Sequence, residues 1–464
     1  MHPRIVRHLL APLHERLMGR RTFACLRELE DSQWWSPRHL RELQERKLRK
    51  LLRASYANCL YYRNLLDDRG VNPAVDDPFA ALATLPLLDK CTIRANLGTM
   101  TNHRVPGGPI RFNTGGSTGE PLVFYVDRRR VAYDKAARML THAWFDAAPG
   151  EREVYLWGAP LELRTQDQLK AFRDRVTNEM LLDAFNLTPS TMRDYLDRIA
   201  AYDPVSVFGY PSSLATLAAY AESTGRRYRG RNLRVVFTTG EWLSPHDRRA
   251  LRRFFRVPVA NGYGSRDGGF IAHECPDGGM HLLEQNVIVE IVDDAGQPVE
   301  PGQPGEIVLT HLDAWATPLL RYRTGDIGRR TASPCTCGRT LAQMGMVDGR
   351  RTDHLVAANG ALQHALSAIY VIRELATVRQ FQIRQDPQRN ICVSVVPAQG
   401  FGDDDVRRIR TGLHHRLGAD LDVQVQVVPQ ITTEKSGKFR CVISDAACGD
   451  LIGQPERVLA EPVA

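Results

Sequence analysis

The sequence predicts an α/β protein. Residues 1–348 form a large N-terminal domain of mixed and largely parallel sheets with helices, and residues 349–464 a small α+β C-terminal lid. Three observations predict it. From about residue 110, short apolar runs alternate with helical stretches, the pattern of strands joined by crossover helices. The 464 residues exceed a single ordinary domain, which runs to roughly 100–200 residues. After Gly349-Arg350-Arg351 the remainder carries strands and a helix of its own.

The elements follow in order. Ser36-Pro37 reads as a helix start, a capping hydroxyl with proline at the first helical position. Leu40, Leu43, Leu48, Leu51, Leu52 and Tyr56 then recur at helical spacing, so this helix is amphipathic and lies on a larger body. Strands are expected at Leu122–Val126, Val154–Trp157, Val205–Phe208, Val235–Thr238, Val257–Ala260, Val287–Val292 and Ile307–Thr310, with helices at Pro189–Tyr202 and Ser212–Ser223 between them. The lid takes strands Ile391–Val396 and Val423–Val428 and a helix near Asp404–Leu417.

Composition narrows the function. The net charge is +8, yet the basic residues are scattered and never form a stripe interleaved with aromatics, which argues against a nucleic-acid partner. No apolar run approaches the roughly 20 residues needed to span a bilayer. Arg4, Arg7, His8, His14, Glu15 and Arg16 interrupt any leader-like apolar core, and the nine cysteines follow no disulfide framework. A cytoplasmic enzyme is expected.

The sharpest motif is Thr114-Gly115-Gly116-Ser117-Thr118-Gly119-Glu120-Pro121. Its glycines let the backbone approach a polyphosphate, while its hydroxyls and N–H groups donate to phosphate oxygens. No Gly-Lys-Ser/Thr follows, so it is not a Walker loop. Tyr263-Gly264-Ser265-Arg266-Asp267 follows an apolar strand, where α/β proteins place ligand loops, and its acid suits Mg²⁺. Tyr322-Arg323-Thr324-Gly325-Asp326 offers a carboxylate for a ribose diol, and Ser436-Gly437-Lys438 a lysine on a glycine turn. A hairpin turn, two turn-capping aspartates and a solvated lysine would explain each motif singly; their order together is harder to explain so.

In combination these segments resemble the adenylate-forming superfamily of acyl-CoA synthetases, adenylation domains and luciferases. The likeness is greatest to the phenylacetate–CoA ligase family and its branch resembling capsular-polysaccharide biosynthesis proteins. It runs from Ser32-Gln33-Trp34-Trp35 through Ala57-Asn58-Cys59-Leu60-Tyr61-Tyr62-Arg63 to Ser436-Gly437-Lys438-Phe439-Arg440. The resemblance implies that Thr114, Gly115, Gly116, Ser117, Thr118 and Gly119 hold the triphosphate of ATP. It implies that Thr239-Gly240-Glu241 lines the adenine, that Tyr263-Gly264 lies beside it, and that Asp326 grips the ribose. It gives catalytic roles to Lys438, Thr118 and Asp267, Asp267 holding Mg²⁺ where the family has glutamate. Gly349-Arg350 begins the hinge, whose aspartate is replaced by Thr352 with Asp353 following.

Cys275, His281, Cys335 and Cys337 form two short clusters suited to a tetrahedral structural zinc, with His273 an alternative ligand. Reduced loop cysteines and a surface histidine are the plainer alternative, and zinc is the favoured reading. The implied reaction activates a small-molecule carboxylic acid as its acyl-AMP and passes the acyl group to coenzyme A. Phe208-Gly209-Tyr210-Pro211 is expected in the acyl pocket, and the acid stays unidentified. Two other readings are an amine or carrier protein as acceptor, and a non-catalytic nucleotide-binding accessory of polysaccharide assembly.

Overall fold

The computed structural model describes residues 1–446 apart from 75, 115–121, 158–176, 185–186, 346, 348, 351–353, 360–361 and 432–440. The chain divides into two compact units, one running from Met1 to Val347 and the other from Asp348 to Glu434 and beyond.

The first unit is built on a nine-stranded sheet, after a hairpin of β1 (Ile110–Asn113) and β2 (Val123–Val126). Strands β3 (Glu153–Trp157), β4 (Glu179–Asp183), β5 (Ser206–Gly209), β6 (Val235–Thr239) and β7 (Val259–Ser265) form its parallel half, in the order β7-β6-β5-β3-β4. The helices Pro189–Tyr202, Pro211–Ser223 and Pro245–Phe255 supply crossovers. Each begins on proline, whose missing N–H costs nothing in a first turn. Beyond β7 the sheet continues antiparallel through β8 (Gly269–Glu274) and β9 (Met280–Leu282). A separate antiparallel group holds β10 (Val287–Val292), β11 (Gly305–His311) and β12 (Tyr322–Gly328). Strands β13 (Arg330–Thr331) and β14 (Gln343–Met344) return to the large sheet, β14 beside β9.

All seven expected strands of this unit are present, six of them with an end moved, mostly by one or two residues. The expected strand Val257–Ala260 begins at Val259 and runs on to Ser265. Pro258 cannot donate to a ladder, whereas Gly262, Tyr263, Gly264 and Ser265 pair on with the antiparallel partner β8. The expected amphipathic helix is Pro37–Asn58, capped by the Ser36 hydroxyl, with Leu40, Leu43, Leu48, Leu51 and Leu52 buried. Its Lys47 is buried too, 2.8 Å from the Gln285 carbonyl and 3.1 Å from Asp313. A buried ammonium is tolerable only when paired in this way.

In the second unit the strands Val423–Val427, Ile391–Pro397, Val378–Gln385 and Val442–Ser444 lie side by side in that order. The helices Leu366–Arg373 and Asp403–Leu417 share a core with them through Ile369, Ile383, Val393, Ile409 and Leu413.

Candidate active site and metal centre

Two of the sequence motifs lie on strands, at ladder defects. On β7, Gly264 sits where a Cβ would come within 2.5 Å of the Gly269 carbonyl oxygen, so only glycine lets the two strands close. On β12, Thr324, Gly325 and Asp326 stand opposite the single residue Ile307 of β11, because Glu306 pairs with Ile327 and Val308 with Arg323. Such bulges re-aim side chains. Gly325 takes φ +77°, and the Thr324 hydroxyl donates to the Ile307 carbonyl at 2.8 Å and accepts the Asp326 N–H at 3.1 Å.

The two bulges bring the motifs together as crossed tyrosine–carboxylate pairs. The Tyr263 hydroxyl donates to Asp326 Oδ2 at 2.9 Å, and the Tyr322 hydroxyl to Asp267 Oδ2 at 2.5 Å. Burial, and then the neighbouring carboxylates, pushes both phenols well above their ordinary range, so both remain donors. Burial opposes the charge on Asp267, but hydrogen bonds from Ser265 and Tyr322 and the Lys90 ammonium outweigh it and hold its carboxyl below the usual range. The Gly268 N–H adds a bond to Oδ1 at 3.1 Å.

The helix Arg128–Ala143 braces this corner from behind. Buried Arg130 donates to the Arg266 carbonyl at 3.0 Å, and Asp134 accepts the Phe270 N–H at 3.2 Å. Neither Tyr322 as the partner of Asp267 nor this brace was foreseen; a tyrosine four residues before Asp326 was the available signal.

At the carboxyl end of β6, Gly240 takes φ +82°, and a Cβ there would meet the Tyr210 ring at 3.2 Å. Glu241 Oε2 accepts the Ser212 N–H at 3.1 Å, at the start of helix Pro211–Ser223. Gly240, Glu241 and Tyr263 therefore lie where strands of the parallel half end, the usual ligand edge of such sheets. Thr114 closes the β1–β2 hairpin, its hydroxyl accepting the Leu122 N–H at 2.9 Å. Gly115, Gly116, Ser117, Thr118 and Gly119 lie outside the described residues, as do Thr352, Asp353 and Lys438; Gly349-Arg350 forms a short strand.

The four metal-ligand candidates converge. The ligand atoms of Cys275, His281, Cys335 and Cys337 lie within 4.8 Å of one another, and His273 is not among them. Cys275 Sγ is 3.6 Å from Cys335 Sγ, and Cys337 Sγ 3.2 Å from His281 Nε2. Tetrahedral bonds of ~2.3 Å to thiolates place sulfurs about 3.8 Å apart, so the donor set fits zinc. His281 Nδ1 donates to the Leu341 carbonyl at 3.1 Å, which leaves the Nε2 lone pair facing the cluster. His273 instead stacks on Phe270, ring centroids 5.8 Å apart.

The chain is similar to several known proteins. Residues 113–311 match the family described as AMP-binding enzyme, and residues 355–445 the CapK C-terminal domain. A phenylacetate-coenzyme A ligase of Thermus thermophilus is 28% identical over 68% of this chain and 72% of its own length. Protein CapK of Staphylococcus aureus is 21% identical over 87% of this chain and 89% of its own. Among solved structures, a 2-hydroxyisobutyryl-CoA ligase in the postadenylation state superposes with a TM-score of 0.69 at 18% identity, covering 89% of this chain and 92% of that one. No helix among the described residues is long and apolar enough to cross a membrane.

Proposed function

We propose, from the premise that this chain belongs to the adenylate-forming ligases and is phenylacetate–CoA ligase-like with a CapK-like C-terminal domain, how its own residues carry out acyl-AMP formation and acyl transfer. The observation that carries the reading is the crossed pair Tyr263–Asp326 and Tyr322–Asp267 at the carboxyl edge of the parallel strands. It sets two carboxylates in fixed places beside Gly240 and Glu241 before any ligand binds.

In the first step a carboxylate oxygen of the acid attacks the α-phosphorus of ATP, forming the acyl–phosphate bond as pyrophosphate leaves. Asp326 accepts the ribose hydroxyls, held in place by Tyr263. Charge gathers on the α-phosphate oxygens, and the hydroxyls and N–H groups of the segment Thr114–Gly119, with the Lys438 ammonium, stabilise it. Asp267 is the carboxylate for Mg²⁺, which supplies charge neutralisation on the phosphates; its lowered pKa keeps it anionic. In the second step the coenzyme A thiol attacks the acyl carbon and AMP leaves.

Cys275, His281, Cys335 and Cys337 hold a structural zinc that ties the segment between β13 and β14 to β9. The two units act as a nucleotide- and acid-binding body, residues 1–348, and a lid, residues 349–464.

Pyrophosphate release on mixing the protein with ATP, Mg²⁺ and a panel of acids tests the reading. Release with at least one acid, and thioester formation once coenzyme A is added, are expected. Adenylate that passes only to amines or a carrier protein would change the acceptor. No pyrophosphate from any acid would favour a nucleotide-binding accessory.

A further inference from the structure

Residues 3–17 form one continuous helix in three pieces, Pro3–Ile5, Val6–Leu10 and Ala11–Leu17. The middle turn is wound wider than an α-helix, the Ala11 N–H donating to the Val6 carbonyl. Proline inside a helix crowds the carbonyl four residues back, and a wider turn before Pro12 makes room for its ring. Both ends of the helix are tied down. Asn178 Nδ2 donates to the Met1 carbonyl at 3.1 Å and to the Gly150 carbonyl at 2.8 Å. Near the other end the buried Glu15 carboxylate accepts from Arg20, Thr22 and Lys135 at 2.5–2.9 Å. Val6 and Glu15 therefore face the body of the unit, Val6 so closely that a Cβ at Gly150 would come within 3.1 Å of its own Cβ.

The opposite face is apolar and bare. Ile5, Leu9, Leu13 and Leu17 recur every four residues, and each is between 47% and 78% exposed. Apolar side chains scattered singly over a surface need no explanation, whereas a row of them marks a contact. A step of four residues overshoots one α-helical turn by ~40°, so three steps would spread the row over ~120°. The wide turn at Val6–Leu10 takes up part of that drift and keeps the row narrow. Arg4, His8 and Arg16, all exposed, form a second row directly beside it, at the same spacing with Pro12. Arg4, Arg7 and Arg16 pair with no acid among the described residues. From Met1 to Arg27 the only acid is Glu15, which is buried and already neutralised by Arg20 and Lys135. The exposed face thus joins an apolar row to a row of uncompensated positive charge.

We propose that this helix docks the protein on the surface of an anionic lipid bilayer. The apolar row enters the boundary between headgroups and acyl chains, the arginines meet the lipid phosphates, and the helix lies in the plane of the membrane without crossing it. The inference goes beyond the adenylate-forming reading and does not depend on it. Charge and apolarity together choose the partner. A nucleic acid would use the arginines and leave the leucines in water. An uncharged protein groove would use the leucines and gain nothing from the arginines. A second copy of this chain, packed row against row, would bring the two basic rows together at a cost in repulsion. An anionic bilayer satisfies both rows at once. A row of four apolar side chains gives reversible attachment, well short of the permanent insertion of a membrane-spanning helix.

Sedimentation of the full chain with vesicles tests it. The protein should pellet with vesicles of phosphatidylcholine and phosphatidylglycerol in equal parts, much less with phosphatidylcholine alone, and less as salt is raised. Leu9→Gln with Leu13→Gln changes only side chains that face solvent, so the fold should keep its melting temperature while vesicle binding weakens at least about tenfold. Arg4→Gln, Arg7→Gln and Arg16→Gln together should remove most of the preference for anionic vesicles. Pyrophosphate release with a soluble acid should be the same in all these variants, which separates this test from that of the adenylating activity. No pelleting with the anionic vesicles at low salt would overturn the proposal, as would pelleting that the leucine replacements leave unchanged. A dimer in solution that the leucine replacements dissociate would give the row to a second copy and overturn it as well.

Discussion

The nucleotide edge and the corner where the helix Arg128–Ala143 crosses β3 belong to the same unit and handle buried charge in opposite ways. At the edge, Asp267 accepts from Ser265, Tyr322 and the Gly268 N–H, and Asp326 accepts from Tyr263. At the corner, Arg138 and Glu153 pair with each other, but Arg138 Nε, Glu153 Oε1 and His142 Nε2 are buried without a hydrogen bond among the described residues. The first arrangement fixes where charge will be before a ligand arrives, as stabilisation of transition-state charge requires. The second leaves part of the cost of burying polar groups uncompensated.

The largest effect should come from the nucleotide end. Lys438→Ala should slow acyl-AMP formation by about 10²–10³, the usual cost of losing a group that acts on transition-state charge. The same variant should consume chemically prepared acyl-AMP at a near-normal rate. Measuring the two half-reactions separately checks this, and equal loss in both would make the lysine structural.

A second prediction concerns the metal centre, away from both ends. Cys335→Ser should lose one equivalent of zinc by metal analysis and lower the melting temperature, while adenylation by the remaining folded protein changes little. Protein purified without chelators and free of zinc would remove the centre from the account.

Tyr322→Phe sharpens the contrast directly, since it opens a valence at the saturated end. Asp267 would keep its Ser265 and Gly268 donors but lose the bond to Oδ2, at a cost of about 1–3 kcal/mol. Denaturant unfolding should report that loss, and the Mg²⁺ requirement should rise with it. An unchanged midpoint would mean that water replaces the phenol.

The smallest effect is a pH dependence at Glu15, away from the nucleotide edge. Burial raises the Glu15 carboxyl, but bonds from Lys135, Thr22 and Arg20 outweigh it and hold the pKa down at about 2. A folded pKa below the unfolded one gives stability that is complete above about pH 4.5 and is lost as pH falls toward 2. Glu15→Gln should therefore flatten the fall in unfolding free energy over that window, by on the order of 2 kcal/mol. A parallel fall in both proteins would place the acid sensitivity elsewhere.

The nucleotide edge was legible because its residues come in short runs, Tyr263 to Asp267 and Tyr322 to Asp326, where glycine, hydroxyl and carboxylate sit together. That these runs are bulged strands was not, since glycine-rich stretches carry little strand signal; β12 went unread for that reason, and β9 because three residues are too few to show a period. Asp267 could be named as an acid but not as the partner of Tyr322, a contact made across strands. The four zinc candidates were readable from residue type alone. The Arg138–Glu153 pair was invisible, because it forms only when the helix Arg128–Ala143 lies across Glu153 and Tyr155.

The central claim is that the crossed tyrosine–carboxylate pairs preset the nucleotide site, and one set of initial rates tests it most directly. Pyrophosphate release is measured against ATP and against the accepted acid, for the unaltered protein and for Asp326→Ala. Asp326→Ala should raise the KM for ATP by roughly ten- to a hundredfold, as losing a charged acceptor does, and leave the KM for the acid unchanged. An unchanged KM for ATP, or an equal rise for the acid, would contradict the account.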